Sequence, residues 1–193
     1  CYLKELNDIA ACCMCVMEVE GMERLVASCN NSVEEGMHIV TNSLRVLETR
    51  KTNLELLLSK HDTSCTSCLR SRNCVLQSLS ESLNTIEVPF DIDPKYEEWE
   101  DDFPLVRNSA KCIKCGRCVA ICDKVQNIGA WKFSSTGLIE VKGMGKLFET
   151  DCSLCGQCIT HCPVGALTAR DDTAKVFAAI KDPTKKTAVQ IAP

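Results

Sequence analysis

Two short stretches decide the fold, CIKCGRCVAIC at residues 112–122 and CSLCGQCITHC at residues 152–162. Both have the frame C-x2-C-G-x-C-x3-C, so they form an internal repeat. Three closely spaced thiolates on a tight loop suit three corners of a four-iron cubane, while the fourth, one helical turn further on, ligates the other cluster. The repeat therefore predicts a pseudo-twofold, bacterial-type two-cluster ferredoxin domain.

This interleaving gives two ligand sets. One predicted 4Fe-4S site is Cys112, Cys115, Cys118 and Cys162, and the other is Cys152, Cys155, Cys158 and Cys122. Pro163 follows Cys162 as the pattern requires, whereas Asp123 follows Cys122, a departure that concerns the turn and not the ligands. Gly116 and Gly156 suit loops that approach a cluster closely. Two structural zinc sites are the alternative, but they rarely use this interleaved frame.

A separate motif combines one histidine with three cysteines, His61-x3-Cys65-x2-Cys68-x5-Cys74. Three close thiolates again define one face of a cubane, and the histidine is placed to close it as the fourth ligand. A neutral imidazole removes one negative charge, so this site should have a higher reduction potential than an all-thiolate cubane. A zinc site with three cysteines and one histidine is the alternative.

The first cysteine group suits a 2Fe-2S cluster, in which each iron takes two thiolates. Its predicted ligands are Cys1, Cys12, Cys15 and Cys29. Cys13 could replace Cys12, but a C-x-C pair chelates such a cluster poorly, so Cys12 is favoured. The three groups then use all of the 16 cysteines except Cys13.

Composition agrees with a chain organised around metal. The 193 residues contain only 5% aromatics, which makes the apolar core thin. With no export signal, the clustered cysteines favour thiolate ligands in a reducing cytoplasm over disulfides. The net charge is −4 and there is no basic stripe, so nucleic acid is not an expected partner. No apolar run is long enough for a membrane span.

An acidic segment separates the cysteine groups. Between Glu87 and Asp102 eight carboxylates face the single Lys95, and four aromatics lie in or next to this stretch. These are Phe90, Tyr96, Trp99 and Phe103. We interpret the segment as a belt laid over the cluster domains or over a partner subunit; the alternative is a flexible linker.

Local patterns predict an α+β chain. We expect short strands within 16–41, helices over 43–59, 73–84 and 171–180, a hairpin around 131–143, and a strand starting in TAVQIAP at 187–193. Asn73 is the expected cap of the second helix. Arg70, Arg72, Lys111, Lys114 and Arg117 flank the ligands and either offset cluster charge or are ordinary surface cations.

Five segments follow from these patterns. They are a β-grasp-like 2Fe-2S domain over 1–42, incomplete at its N-terminus; a small His-Cys 4Fe-4S domain over 43–86; the connecting segment 87–107; the two-cluster ferredoxin domain over 108–170; and, over 171–193, a connector with the start of a missing catalytic domain. The expected cofactors are one 2Fe-2S and three 4Fe-4S clusters.

The order of these domains resembles the N-terminal relay of large iron-only (FeFe) hydrogenases. The resemblance includes GMERLVASC at 21–29, NLELLLSKH at 53–61, KCIKCGRCV at 111–119 and the closing TAVQIAP. It implies an electron-transfer role for these residues, with no catalytic side chain among them and with the catalytic H-cluster in a downstream domain. It also implies partners, either flavin-containing NAD(P)-linked iron–sulfur subunits or a formate dehydrogenase with ferredoxin-like subunits, in the cytoplasm of an anaerobic organism.

Other resemblances stay open. The same order is similar to the alpha subunit of NAD-linked molybdenum formate dehydrogenases, and its first half to the large peripheral-arm subunit of respiratory NADH dehydrogenase. The respiratory subunit generally lacks the regular double ferredoxin copy, and the QIAP ending favours the hydrogenase. A stand-alone electron-transfer subunit and a zinc scaffold are the remaining alternatives. Chain order suggests that electrons pass from the H-cluster to the ferredoxin cubanes, then to the His-ligated and 2Fe-2S centres.

Overall fold

The computed structural model describes residues 1–90, 92–94, 96–99, 103–143 and 145–191. In these ranges helices and short antiparallel strands alternate in an α+β arrangement, as predicted. Among the helices of the described part, none has the length and apolar character needed to cross a membrane.

The N-terminal region is built on a small antiparallel sheet. Its central strand β1 (Val16–Val19) pairs with β2 (Val26–Ala27) on one side and β3 (Ile39–Val40) on the other. β-branched residues favour this half-buried sheet, and Val16, Met17 and Val19 are buried in it. The short strands expected within 16–41 are therefore present.

Helix α1 (Leu44–Leu58) leads into His61. Ser43 begins it, because its hydroxyl accepts a hydrogen bond from the Val46 N–H at 3.2 Å. Val46 and Leu54 are fully buried, which fixes the rotation of the helix. The predicted helix over 43–59 is confirmed.

Helix α2 (Val75–Ser82) is shorter than the prediction over 73–84. The expected cap was wrong: Cys74, with an extended backbone, occupies the cap position. The Asn73 N–H instead donates to the Arg70 carbonyl at 2.9 Å and closes the preceding turn. The turn that presents the cysteine therefore sets where this helix begins.

The ferredoxin region contains both copies of the repeat. Its elements are β4 (Leu105–Arg107), α3 (Arg117–Ala120) with a following π-helical turn (Ile121–Val125), β5 (Trp131–Phe133), β6 (Ile139–Val141), α4 (Gln157–His161) and β7 (Leu167–Ala169). The predicted hairpin is β5 paired with β6. The antiparallel pair of β4 and β7, which joins the two ends of the region, was not predicted.

The main hydrophobic core lies in this region. Trp131, Leu147 and Val164 are almost completely buried in it, and three of the cysteines belong to the same cluster. Leu54 from α1 and Leu76 from α2 also pack into it. The His-Cys region and the ferredoxin region therefore share one core.

The connecting segment packs on the ferredoxin region where it is described. The Trp99 ring stacks on Trp131 with ring centroids 5.9 Å apart, and its indole N–H donates to the Leu105 carbonyl at 2.7 Å. Glu97 pairs with Arg107, N to O, at 2.7 Å. These contacts support a belt over the chain's own ferredoxin domain; Asp91, Lys95, Glu100, Asp101 and Asp102 lie outside the described residues.

The last helix, α5 (Thr173–Lys181), starts slightly later than predicted, after the Asp171 carboxylate accepts the Thr173 N–H at 3.0 Å. Its predicted apolar side is not packed against the described part of the chain, since Phe177 and Ile180 are more than half exposed. The predicted terminal strand was wrong for residues 187–191, which have no strand neighbour among the described residues. Ala192 and Pro193 lie outside them.

Candidate metal centres

One cavity of the ferredoxin region is lined by Cys112, Cys115, Cys118 and Cys162, the four cysteines predicted to share a cluster. The first two lie on the loop before α3, Cys118 lies on α3, and Cys162 ends α4. The cysteine that is distant in sequence is thus brought to the triplet by the pairing of the two copies. All four are buried or half-buried.

A second cavity is lined by Cys122, Cys152, Cys155 and Cys158, the other predicted set. Cys122 lies in the π-helical turn after α3, and its sulfur accepts the Ala130 N–H at 3.3 Å. Cys155 is exposed, so this site reaches the surface of the described chain.

The two cysteine loops have the same unusual backbone. Lys114 and Leu154, at equivalent positions of the repeat, have φ values of 54° and 57°, and Gly116 and Gly156 have φ values of 72° and 71°. This left-handed geometry turns N–H groups towards sulfur: Lys114 donates to Cys112 and Leu154 donates to Cys152. Such hydrogen bonds are one means by which a protein tunes an iron–sulfur cluster.

Burial makes some of the cysteine thiols of these cavities hard to ionise by themselves. Burial, followed by the neighbouring thiols of Cys115 and Cys112, raises the pKa of Cys118. Burial raises the pKa of Cys158 to about 11, even though the Trp131 indole N–H donates to its sulfur. A positive metal centre would stabilise the thiolates that the cavity disfavours, so binding of metal should be coupled to folding.

A third cavity is lined by His61, Cys65, Cys68 and Cys74, the predicted His-Cys set. His61 is 8% exposed, and its Nδ1 is buried without a hydrogen-bond partner among the described residues. Burial, followed by the charge of Lys111, lowers the pKa of His61 and keeps the ring neutral, the form that ligates metal. Both the donor set and the unpaired Nδ1 of His61 fit an iron–sulfur cluster.

Several residues of this cavity were not found by motif reasoning. Thr85 lines it with a buried hydroxyl that has no partner among the described residues. Gly165, from the ferredoxin region, also lines it. Lys111 lines it too, although it precedes Cys112, and hydrogen bonds from Ser64 and then the charge of Lys111 lower the pKa of its partner Asp62 to about 2. Thr85 and Gly165 belong to no cysteine motif, so only folding reveals them, whereas Lys111 flanks a predicted ligand in sequence but was not expected at this cavity.

The first cysteine group forms two sulfur pairs. Cys12 Sγ lies 3.5 Å from Cys1 Sγ, and Cys15 is hydrogen-bonded to Cys29. Burial raises the pKa of Cys15, but hydrogen bonds from Cys29 and Ser28 outweigh it and leave the pKa below its ordinary value. Two thiolate pairs suit a two-iron cluster. Cys13 Sγ donates instead to the Ala10 carbonyl at 3.2 Å, which supports the choice of Cys12.

The N-terminal region contacts the ferredoxin region directly. The amide of the buried Asn7 donates to the Cys1 carbonyl at 2.8 Å and to the Cys115 carbonyl at 2.9 Å. Arg117 adds hydrogen bonds to the Cys1 and Tyr2 carbonyls. The proposed 2Fe-2S site is therefore a neighbour of the Cys112 site, whereas chain order had placed it beyond the His-Cys centre.

No group of three or more His, Cys, Asp or Glu side chains in the described ranges converges closely enough for one metal ion. A tetrahedral zinc ion with Zn–S bonds of about 2.3 Å needs sulfurs roughly 3.8 Å apart. Three of the four predicted sets each line a cavity.

Known family models match three separate parts of the chain. Residues 1–44 match the 2Fe-2S iron-sulfur cluster binding domain, residues 50–89 the NADH-ubiquinone oxidoreductase-G iron-sulfur binding region, and residues 111–170 the 4Fe-4S dicluster domain. The chain thus contains both 2Fe-2S and 4Fe-4S binding domains, and the predicted fold class is confirmed.

Its relatives define the type of polypeptide. The chain is 39% identical to the NADP-reducing hydrogenase subunit HndD of Solidesulfovibrio fructosivorans, over all of this chain and 34% of that protein. It is 37% identical to the G 2 subunit of the NADH-quinone oxidoreductase of Rhizobium meliloti, over 86% of this chain and 20% of that protein. A crystal structure of an NAD+-reducing NiFe hydrogenase in the H2-reduced state superimposes with a TM-score of 0.78 and 26% identity, covering 88% of this chain and 74% of that one.

The chain is therefore similar to the iron–sulfur region of the G-type polypeptide of NADH-quinone oxidoreductase and to that of the HndD polypeptide of NADP-reducing hydrogenase. It spans about a third of the length of the hydrogenase relative and a fifth of the length of the other.

Proposed function

We propose that this chain is the electron relay of an FeFe hydrogenase subunit. It would carry electrons between an H-cluster in a domain beyond residue 193, where H2 is oxidised or protons are reduced, and an NAD(P)-linked flavin subunit, a ferredoxin or a formate dehydrogenase. The observation that carries the relay is that three cavities are each lined by four predicted ligands. Similarity to a hydrogenase subunit along the whole chain supports the choice of hydrogenase.

The proposed clusters are one 2Fe-2S centre on Cys1, Cys12, Cys15 and Cys29, and three 4Fe-4S centres on the sets that line the cavities. The chain's own part is to hold neighbouring sites in contact. Asn7 joins the first site to the Cys112 site, and Lys111 joins the Cys112 site to the His61 site. The proposed two-iron site and the His61 site therefore both adjoin the Cys112 site, which makes the Cys112 site the junction of the proposed relay.

Metal analysis tests the relay. Protein purified without oxygen should contain about fourteen irons per chain by ligand counting, and its reduced form should give EPR signals of two-iron and four-iron clusters. Stoichiometric zinc with little iron would refute the relay and support a zinc scaffold.

A second candidate is the relay of an NADH-dehydrogenase-type protein, which the match of residues 50–89 and the similarity to the Rhizobium meliloti NADH-quinone oxidoreductase favour. Assays of the complete protein with its native partners separate the two. H2-dependent reduction of NAD(P)+ supports the hydrogenase, whereas NADH oxidation without H2 uptake or evolution supports the dehydrogenase type. Formate-dependent activity without H2 turnover would support the formate dehydrogenase alternative.

A further inference from the structure

Lys111 lies between two of the proposed cluster sites and is buried there. It directly precedes Cys112, yet it lines the cavity of His61 and the three cysteines of that set. The residue is 8% exposed. Because a buried ammonium group is costly unless it is paired, its position needs a specific partner.

That partner is Asp62, the residue after His61. Lys111 Nζ lies 3.2 Å from Asp62 Oδ2 and donates to the Asp62 carbonyl at 3.3 Å. The Asp62 N–H in turn donates to the Ala110 carbonyl at 2.8 Å. A residue adjacent to one ligand set is thus paired with a residue adjacent to another, and three contacts fix the two stretches of chain together.

The wall between the two sites is thin at this point. Gly165 has no side chain, and a Cβ there would lie 2.6 Å from Cys68 Sγ and 3.6 Å from Lys111 Cδ. Its neighbours Val164 and Ala166 line the cavity of the Cys112 site. Consecutive residues of this stretch therefore line the two cavities in turn, and the stem of Lys111 lies close to it.

We propose that the Lys111–Asp62 pair sets the reduction potentials of the two sites that it joins. Each cluster gains one negative charge when it accepts an electron. The ammonium group of Lys111 favours that charge at either site, and the carboxylate of Asp62 opposes it, most strongly at the His61 site. The ammonium group acts with little solvent screening because the lysine is buried, whereas the carboxylate is partly exposed and more strongly screened. The proposal rests on the proposed ligand sets and not on which catalytic domain they serve.

Removing the charge of Lys111 and removing the charge of Asp62 should shift the reduction potential of the His61 site in opposite directions. In the cluster-loaded full-length protein, EPR-monitored redox titration should show a lower potential at both sites for Lys111→Met and a higher potential at the His61 site for Asp62→Asn. The double variant should return towards the wild-type values, and Lys111→Arg should stay close to them. A purely structural pair would give no such opposition of sign.

Lys60 offers a matched control. It is adjacent to His61 as Lys111 is adjacent to Cys112, but it is exposed. Solvent and salt screen its charge, so Lys60→Met should leave both potentials unchanged. Equal shifts for Lys60→Met and Lys111→Met would overturn the proposal, because net charge alone would then account for them.

Unshifted potentials in both single variants, with iron content intact, would also overturn it. If Lys111→Met does not load iron, Asp62→Asn decides alone: a raised potential supports the proposal, and an unchanged one contradicts it. Failure of the ligand assignment is recognised separately, since His61→Ala would then leave every EPR signal of the wild-type protein in place.

Discussion

At the scale of single residues, the two glycines of the repeat have the same backbone but different surroundings. A Cβ at Gly116 would lie 2.6 Å from Phe133 Cζ and 2.9 Å from Ile9 Cδ1, whereas a Cβ at Gly156 would meet nothing within 4 Å. The repeat thus contains its own internal control, because any side chain at either position has the same left-handed strain.

We expect Gly156→Ala to destabilise the protein by about 1–2 kcal/mol through backbone strain alone. Gly116→Ala should cost a further 1–3 kcal/mol or so, because the ring of Phe133 must move. Anaerobic urea titration, followed by cluster absorbance, measures the difference between the two variants. Equal urea midpoints for the two variants would show that the side chains of Phe133 and Ile9 move aside at no measurable cost in stability.

Asn7 is the residue whose side chain bonds two regions at once. Asn7→Asp replaces an N–H donor with an acceptor that faces two carbonyl oxygens, and the lost hydrogen bonds should cost about 1–3 kcal/mol. We expect the two-iron centre to stay loaded while its magnetic interaction with the neighbouring four-iron centre weakens in EPR spectra. Asn31→Asp is the matched control, since the exposed Asn31 donates locally to the Ala27 carbonyl; a similar weakening there would contradict the prediction.

At the scale of elements, motif spacing predicts which cysteines lie together, and helix periodicity predicts the long helix but not the short elements. Each set of four cysteines predicted from the repeat lines one cavity of the ferredoxin region, and the helix predicted over 43–59 is present as α1. The pair of β4 and β7 joins strands of three residues each, too short to show a period. The cap at Asn73 failed because the turn that presents Cys74 places the helix boundary. The positions of the short elements in this chain are set by the cysteine loops and not by local secondary-structure propensity.

The connecting segment gives an element-scale prediction. Trp99→Phe should keep the ring contact with Trp131 and lose only the hydrogen bond to Leu105, at a cost of about 1 kcal/mol. Trp99→Ala should cost more, because the aromatic pair adds about 0.5–1.5 kcal/mol beyond the buried area. Urea denaturation of both variants checks the order. If Trp99→Ala is as stable as the wild type, the segment is a linker and not a belt.

At the scale of the whole molecule, the thin apolar core and the metal sites are one system. Cys118, Cys158 and Cys162 belong to the same buried cluster as Trp131 and Leu147. The cysteine spacing predicted which cysteines would lie together. It did not predict that Leu54 and Leu76 would join the His-Cys region to this core, because long-range packing cannot be deduced from local spacing. Nor could it show which cations would be buried: Lys111 and Arg117 looked alike in sequence.

Removing the clusters should therefore unfold more than the loops that hold them. We expect anaerobic treatment with a strong iron chelator to abolish the tertiary signal of Trp99 and Trp131 in near-ultraviolet circular dichroism. The reason is that unpaired thiols and empty space would replace part of the core. Re-addition of iron and sulfide should restore the signal. A chelated protein with an unchanged tryptophan signal would show that the core stands without metal.

The uneven exposure of the cysteines also orders the damage that air would do. Cys155 and Cys65 are exposed in the described chain, whereas Cys115, Cys118 and Cys162 are buried. Oxygen should reach the two outer four-iron centres first and the central one last. A sample exposed to air would then lose the Cys152 and His61 centres before the Cys112 centre. It would still show the spectrum of an intact four-iron cluster after electron transfer along the relay has stopped.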